Sequence, residues 1–542
     1  MDRFIEDHNG KEYDIIIIGA GITGAALAYE VSARGYSTAL VDKCDFGSAT
    51  SAATSKLIHG GLRYLKNFEF GLIRESLRER KIFMNIAPNF IYPLQMLIPT
   101  YKDFQSSKLV LKTGLVMYDM LAFDKKKTWD PGKNISRHEF IPREKVLAME
   151  PDLNRKGLTG AILFYDSQSI FPERLTLAFI KSAAKNNADV SNYTEVTGFI
   201  YSNKKAVSGV KVKDKLTGKE KEIRGKLTVN CTGPWADILL NIAERGESAN
   251  HIKRSEGIHI ITNSLGNGHA LLQRTKRGRH LFILPWRGHS LIGTTDKEYK
   301  GDPDEYHITR ESISDFIEEI NEIYEREYIK YEDIKFAYGG LRPIVESDTK
   351  GTYISSRKYE IYDNAKDGFE NLITVEGGKY TTSRNLATKT ANLIDKKFNR
   401  KPAKSVTDRD YLFGCDIKNI EAFIERIVKL NKDFDGNTVI TLSKYYGTEI
   451  FDLLNIAKEN EEFSIPLNND GEILAQVIYA IQKEMAKKLS DIIFRRTGIG
   501  TLGHPGKDVL EKVAGIAAGK LGWDQERMEK EIEETEKQLM VP

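Results

Sequence analysis

Cysteine is scarce in this sequence. Cys44, Cys231 and Cys415 are the three among 542 residues, and none stands in a Cys-x-x-Cys pair. That excludes a disulfide framework, a Cys-rich zinc site and a four-cysteine iron–sulfur cluster, and it suits a reducing compartment. An excess of either charge is also missing. Lys and Arg total 80 against 77 Asp and Glu, a formal net charge of +3, which excludes a nucleic-acid protein working through bulk positive charge. Long hydrophobic runs are absent too. The uncharged stretch Ile15–Tyr29 is too short and too glycine-rich for a span of about 20 residues. The first residues, MDRFIEDHNGKEYD, are charged where a secretory signal is apolar. The expectation is a cytoplasmic protein, soluble or peripheral on the cytoplasmic face of a membrane. With 40% hydrophobic and 29% charged residues, the rest is ordinary globular composition. The length suits roughly three to four domain equivalents.

What is present begins with YDIIIIGAGITGAALAYEVSARGYSTALVD. Ile15 to Ile18 form the apolar run of a central parallel strand covered on both faces. Gly19, Gly21 and Gly24 follow at G-x-G-x-x-G spacing, Ala25 to Ala33 reads as a helix, and the strand Ser37 to Val41 ends at Asp42. This is a βαβ unit with a dinucleotide fingerprint. Gly19 permits the tight turn, Gly21 lets a pyrophosphate approach the backbone, and Gly24 allows close helix–strand packing. The helix N-terminus offers N–H groups and partial positive charge to phosphates. Asp42 can accept a ribose hydroxyl, and its charge disfavours the 2′-phosphate of NADP. The fingerprint alone does not separate NAD from FAD.

The next stretch does. SATSAATSKLIHGGLRYL, Ser48 to Leu65, is polar and glycine-containing where an NAD enzyme would continue with α/β units. The hydroxyls of Thr50, Ser51 and Ser55, His59, and the backbone at Gly60 and Gly61 suit the ribityl and pyrophosphate of FAD. Further on, VTGFIY and AVSGVKV alternate as in an antiparallel meander. KLTVNCTGPWAD then closes a strand on Thr232 and Gly233, and NLITVEGGKYTTSRNLATKTANLI offers a strand, Gly377-Gly378 and a second helix start near Thr381 or Thr382. KLVLKTGLVMYDMLAFDKKKTW, Lys108 to Trp129, is apolar and framed by lysines. A buried helix with solvated lysines is the simpler expectation, a bilayer-surface segment the other. After about residue 405, glycines thin out and Leu/Ile/Lys/Glu periodicity takes over.

Taken together, IIIIGAGITGAALA, TSKLIHGGLRYL, VNCTGPWAD, FILPWRGHSLIGTTDKEYKGDP, YGGLRPI, EGGKYTT and FRRTGIG resemble the FAD-dependent glycerol-3-phosphate dehydrogenases of the respiratory type and their relatives, the α-glycerophosphate oxidases. These stretches run through nearly the whole chain in the family's order. The resemblance implies an α/β plus α fold: a Rossmann-like FAD-binding domain (residues 1–70, 156–250 and 366–404), a D-amino-acid-oxidase-like antiparallel-sheet substrate domain (71–155 and 251–365), and a C-terminal helical domain (405–542). The family often has Glu where Asp42 stands; the shorter acid can make the same ribose contact. The cysteine-rich tail of the anaerobic form is absent. Asn431, Asp433, Asp435 and Gly436 mimic the start of an EF-hand, but its twelfth position falls on Leu442, which cannot replace the bidentate Glu. No metal is expected.

Oxidising a secondary alcohol with flavin requires a C2–H aimed at the ring, an acceptor for the hydroxyl proton and a grip on the dianionic phosphate. Arginine suits the last through its planar fork of donors. By resemblance, Arg63 with Tyr64 beside it, Arg342, Arg357 and Lys379 line the substrate site. Some hold phosphate, and others stabilise the developing alkoxide or the negative charge on the reduced flavin. Arg63, Arg342 and Lys379 each follow a Gly-Gly pair. His259, in EGIHIIT, is the first choice for proton acceptor. The implied reaction converts sn-glycerol 3-phosphate to dihydroxyacetone phosphate, and electrons leave to a membrane quinone or, in an oxidase, to O2 with release of H2O2. Oxidation of an amino acid or amine is disfavoured by the repeated basic groups, and a non-catalytic FAD-binding regulator has no need of them. The oligomeric state, a homodimer included, is left open.

Overall fold

The computed structural model describes residues 1–202, 205–244, 252–266, 268–276, 278–324, 326–344 and 359–542. Arg357 lies outside them. The first sheet is built on the isoleucine run. Glu12–Ile18 sits between Thr38–Val41 and Glu220–Asn230, and Asp189–Ser191 and Leu372–Gly377 extend the parallel array on either side. Because side chains alternate along a strand, Ile15 and Ile17 face one layer while Ile16 and Ile18 face the other. The first layer holds the helices Ile22–Ala33, Pro172–Lys185 and Ser383–Lys397. The second holds the meander Thr194–Tyr201 and Val207–Asp214 with the helix Ala236–Ala243. All four isoleucines are at most 5% exposed. Each therefore contributes about 1.5–3 kcal/mol of burial, which is why the run reads as continuous rather than alternating.

Among the described residues the second sheet has ten strands, mostly antiparallel. Its centre carries the expected runs: Lys253–Asn263, His280–Trp286 and His289–Gly293, with Ile334–Ile344 paired along Lys253–Asn263. Three strands fall on the other side of the boundaries drawn from sequence, the short Leu57–Ile58 among them, which pairs with Leu158–Ser169 in the second sheet. Leu158–Ser169, expected in the nucleotide portion, pairs along the whole of Ile91–Tyr101 in the second sheet. Tyr359–Asp363, expected in the substrate portion, pairs with Leu372–Gly377 in the first. Apolar alternation reveals a strand but not which neighbour it will find, since pairing depends on chain returning from far away.

The lysine-framed segment also departs from the simpler expectation. Lys108–Leu121 is a helix, yet only Leu115 and Tyr118 of it are buried. Leu109 is 77% exposed and Met120 70%, with Phe123 just beyond at 71%. Among the described residues, no helix is long and apolar enough to cross a membrane. Beyond residue 405 the chain is helical, as expected, but it is no mere appendage. Ile427, Val439, Leu442, Ile450, Ile473 and Ile478 enter the same core as the nucleotide-side helices. The EF-hand-like turn ends as a helix cap, with Asp435 accepting from the Thr438 amide.

Candidate active site

The carboxyl ends of the parallel strands open on one long cleft of about 1530 Å³, larger than the 300–1,000 Å³ usual for a small-ligand pocket. Its two ends differ in chemistry. At the nucleotide end the walls are backbone. Gly19 has φ +97°, and a Cβ there would stand 2.7 Å from the Cys231 carbonyl oxygen; one on Gly24 would stand 1.9 Å from the Gly19 carbonyl oxygen. Gly21 starts the helix Ile22–Ala33, whose first amide donates to Ser51 Oγ at 2.9 Å. Asp42 accepts from the amides of Ala20 (2.6 Å) and Cys44 (2.9 Å), and burial pushes its pKa up to about 6. Thr232 and Gly233 complete this wall.

The other end is cationic. Gly377 and Gly378 take φ of +71° and +94° after their strand and deliver Lys379 to the cleft. Lys379 Nζ lies 3.9 Å from the centroid of the Tyr64 ring and donates to Ser76 Oγ at 3.1 Å. Burial, and to a smaller degree the neighbouring Arg63, lower the pKa of Lys379. The Arg63 guanidinium lies 4.8 Å from the centroid of the same ring and donates to Tyr64 Oη at 3.1 Å. His59, beside them on the lining of the cleft, is half-buried. Desolvation, opposed by Asp166 and reinforced by Lys379 and Arg63, holds its pKa down to about 4.

Arg342 and His259 come from adjacent strands of the second sheet. Each side chain sits in a slot that a glycine makes. A Cβ on Gly257 would meet Arg342 Nη2 at 1.7 Å, and one on Gly293 would meet His259 Cδ2 at 2.1 Å. The Arg342 fork donates to the Thr295 carbonyl (3.1 Å) and to Thr294 Oγ1 (2.5 Å). His259 stacks on Tyr338 at 5.0 Å, and its Nε2 is 2.8 Å from Ser55 Oγ. Its buried Nδ1 has no hydrogen-bond partner among the described residues. Burial, then Arg342 and Lys56, drive its pKa well below the usual histidine value, so the imidazole is neutral.

Two family models match the chain: that of the FAD dependent oxidoreductases over residues 14–385, and that of the C-terminal domain of alpha-glycerophosphate oxidase over residues 405–528. The chain belongs to the FAD-dependent oxidoreductase family. A glycerol-3-phosphate dehydrogenase of Synechocystis is 32% identical over 98% of this chain and 97% of its own length. An aerobic glycerol-3-phosphate dehydrogenase of Staphylococcus aureus is 33% identical over 99% and 97%. The solved glycerol-3-phosphate dehydrogenase of Bacillus halodurans, complexed with FAD, has a TM-score of 0.78 at 26% identity and covers 99% of this chain and 96% of that one.

FAD is the cofactor of this oxidoreductase family, and the residues fit it. A cleft this long, with a turn at Gly19 that leaves no room for a Cβ and with Asp42 on its lining, is shaped for an extended dinucleotide. Gly19, Gly21, Asp42, Thr50, Ser51, Ser55, His59, Gly61, Thr232, Gly233, Gly377 and Gly378 all line it, as do Arg63, Tyr64, His259, Arg342 and Lys379. Gly24 and Gly60 do not. Gly24 serves helix–strand packing, as its spacing implies. Gly60 donates its amide to the buried Asp166 at 3.2 Å, and its missing side chain makes room for Tyr118 Oη. Thr50, read as a cofactor hydroxyl, spends its proton on the Leu341 carbonyl at 2.6 Å, and Ser55 faces His259. Both hydroxyls therefore also tie their loop to the second sheet.

Several contributors escaped the sequence reading. Lys56 forms a buried ion pair with Glu173 at 2.5 Å and adds positive charge next to His259. Gly257 and Gly293 make the two slots, and Tyr338 supplies the stacking face. Gly257 and Gly293 stood in EGIHIIT and SLIGTTD, where a lone strand glycine is the available signal of close approach.

Proposed function

We propose that this chain oxidises sn-glycerol 3-phosphate at C2 to dihydroxyacetone phosphate, with a membrane quinone as final acceptor. The observation that carries the reading is the convergence of Arg63, His259, Arg342 and Lys379, from distant parts of the chain, on the cleft that also holds the glycine fingerprint. FAD, when bound, accepts the hydride. Arg63 and Lys379 are set to grip the phosphate dianion through charge-assisted hydrogen bonds. Arg342, its fork already oriented by Thr294 and Thr295, stabilises the oxygen on which negative charge develops. His259 takes the hydroxyl proton at Nε2, the nitrogen beside Ser55. A dianion entering the cleft offsets the charges of Arg342 and Lys56, so substrate binding itself raises the proton affinity of the imidazole. Anaerobic addition of glycerol 3-phosphate to the holoprotein should bleach the flavin absorbance, while glycerol at the same concentration should not. An unbleached spectrum with both would end the proposal.

The acceptor reading rests on the helix Lys108–Leu121. Val110, Leu111 and Met117 on it form part of the cleft wall, while Leu109, Val116 and Met120 are exposed. Phe104 and Phe123 are exposed beside it, and Lys108, Lys112, Lys126 and Lys127 surround it. An apolar face ringed by lysines suits an anionic bilayer surface, from which a quinone would reach the cleft. Co-sedimentation with anionic vesicles, followed by quinone reduction against peroxide release, separates this reading from the oxidase.

A further inference from the structure

The loop that follows Asp42 has no regular secondary structure, yet a buried charge cluster centred on Asp45 holds it in place. The Asp45 carboxylate is 0% exposed and accepts Arg496 Nη1 and Nη2, both at 2.8 Å, Arg495 Nε at 2.6 Å, and Asn192 Nδ2 at 3.0 Å. Both arginines belong to Asp491–Arg496, a π-helix. Such wide turns are rare and often sit at functional places. This one bends successive residues through a smaller angle than an α-helix does, so two adjacent guanidinium groups reach one carboxylate. The cluster is closed from behind. Asp491 accepts Arg495 Nη2 and Tyr193 Oη, each at 2.6 Å, and Arg496 Nε donates to the Glu484 carbonyl at 3.1 Å. Buried ion pairs are a poor source of net stability compared with apolar packing. Their use here, in a domain already joined to the core by Ile427, Leu442 and Ile478, points to positional control.

We propose that Arg495 and Arg496 of the C-terminal helical domain are positioning residues for the adenosine end of FAD: through Asp45 they hold the Asp42–Gly47 loop in the shape that presents the Asp42 carboxylate to the ribose. Asp45 stands three residues after Asp42, and within the loop the Cys44 amide already bonds to Asp42 while the Gly47 amide bonds to the Ala20 carbonyl beside the glycine turn. Cofactor retention is thus set by a domain that does not line the cleft.

The test measures FAD affinity directly, by flavin fluorescence on titrating FAD into deflavinated full-length protein. Arg496→Gln should raise the Kd for FAD about tenfold, a change of about 1.4 kcal/mol, and excess FAD should restore most of the lost turnover. Arg496→Lys, which keeps the charge but offers one point instead of a fork, should give an intermediate Kd. It carries the same test should the glutamine variant fail to accumulate. Arg287→Gln is the control. Arg287 anchors the same domain to the second sheet through Asp470 at 2.8 Å and the Gly498 carbonyl at 2.9 Å, so its loss should lower the melting temperature and leave the Kd within about twofold. An unchanged Kd in the Arg496 variants, or an equal rise in Arg287→Gln, would overturn the proposal.

Discussion

The two ends of the cleft are built by opposite means. The nucleotide end is made of backbone: a turn that leaves no room for a Cβ at Gly19, and a helix start whose first amide bonds to Ser51 Oγ. The cationic end is made of side chains held from outside. Lys379 and Arg63 share the ring of Tyr64, Arg342 and His259 occupy glycine slots, and Lys56 is pinned by Glu173. A backbone site is rigid and all-or-none, because steric overlap leaves no partial solution. A site of buried cations is tunable, because each charge shifts the proton affinity of the next.

That contrast can be broken most sharply at Gly24. Gly24→Val places a branched side chain where even a Cβ would overlap the Gly19 carbonyl at 1.9 Å. Purified protein should be colourless, with no FAD released on denaturation; a yellow variant would show that the packing behind the Gly19 turn yields. At the other end Arg342→Ala should keep FAD and lose about 10³-fold in kcat/KM, the scale of removing a donor to a developing oxyanion. Steady-state kinetics on the flavin-replete variant checks this.

His259→Ala should retain FAD and cost about 10²-fold in kcat, the lower range for a positioned general base. The pH profile sharpens the point. Burial, Arg342 and Lys56 depress the His259 pKa, so the imidazole stays unprotonated down through the ordinary range. The acid limb of kcat/KM should therefore lie below about 6.5. Arg342→Gln removes one of the depressing charges and should move that limb upward; a limb that stays put would detach His259 from it. The smallest effect belongs to Asp42, whose pKa burial raises to about 6. An ionised carboxylate is the better acceptor for a ribose hydroxyl, so FAD affinity should fall as pH drops through about 6. Asp42→Asn should lower affinity about tenfold, the scale of one hydrogen bond to a charged group, and flatten that dependence. Fluorescence titration from pH 5 to 8 reads both.

The sheet proton balance of the apoprotein carries the same opposition. His59, depressed to about 4, favours the fold above pH 6.5 and loses that contribution as pH falls toward 4. Asp42, raised to about 6, does the reverse, contributing most below its unfolded value of about 3.8 and losing it as pH rises through 6. Between pH 4 and 6 the two slopes have opposite signs. His59→Gln should therefore make the stability rise less steeply with pH across that window, read as the denaturation midpoint.

Sequence legibility followed the same division. The βαβ unit, its glycines and Asp42 could be read directly because the backbone imposes its demands at fixed local spacing: a turn needs Gly19, a crossing needs Gly24, a strand end needs an acid. Arg63, Arg342, Lys379 and His259 could be named through the resemblance of their motifs. Their partners could not. Nothing near Lys56 announces Glu173, 117 residues away, and nothing near Asp45 announces Arg496, 451 residues away. The exposed face of Lys108–Leu121 was equally hidden, because lysine-framed apolar periodicity is the same whether the helix finds a protein surface or none.

By itself the sequence determined the parallel core and the phosphate-binding turn, since each follows from short-range sterics and hydrogen bonding, and it carried the class of chemistry through the resemblance of its motifs. Only the tertiary structure decided which sheet Leu158–Ser169 joined, which hydroxyls were already spent, how four cations came to face one cleft, and that a C-terminal π-turn grips the nucleotide loop. Those outcomes depend on buried charges and glycine slots meeting across hundreds of residues, and such encounters are settled by the free energy of the whole chain rather than by any window of it.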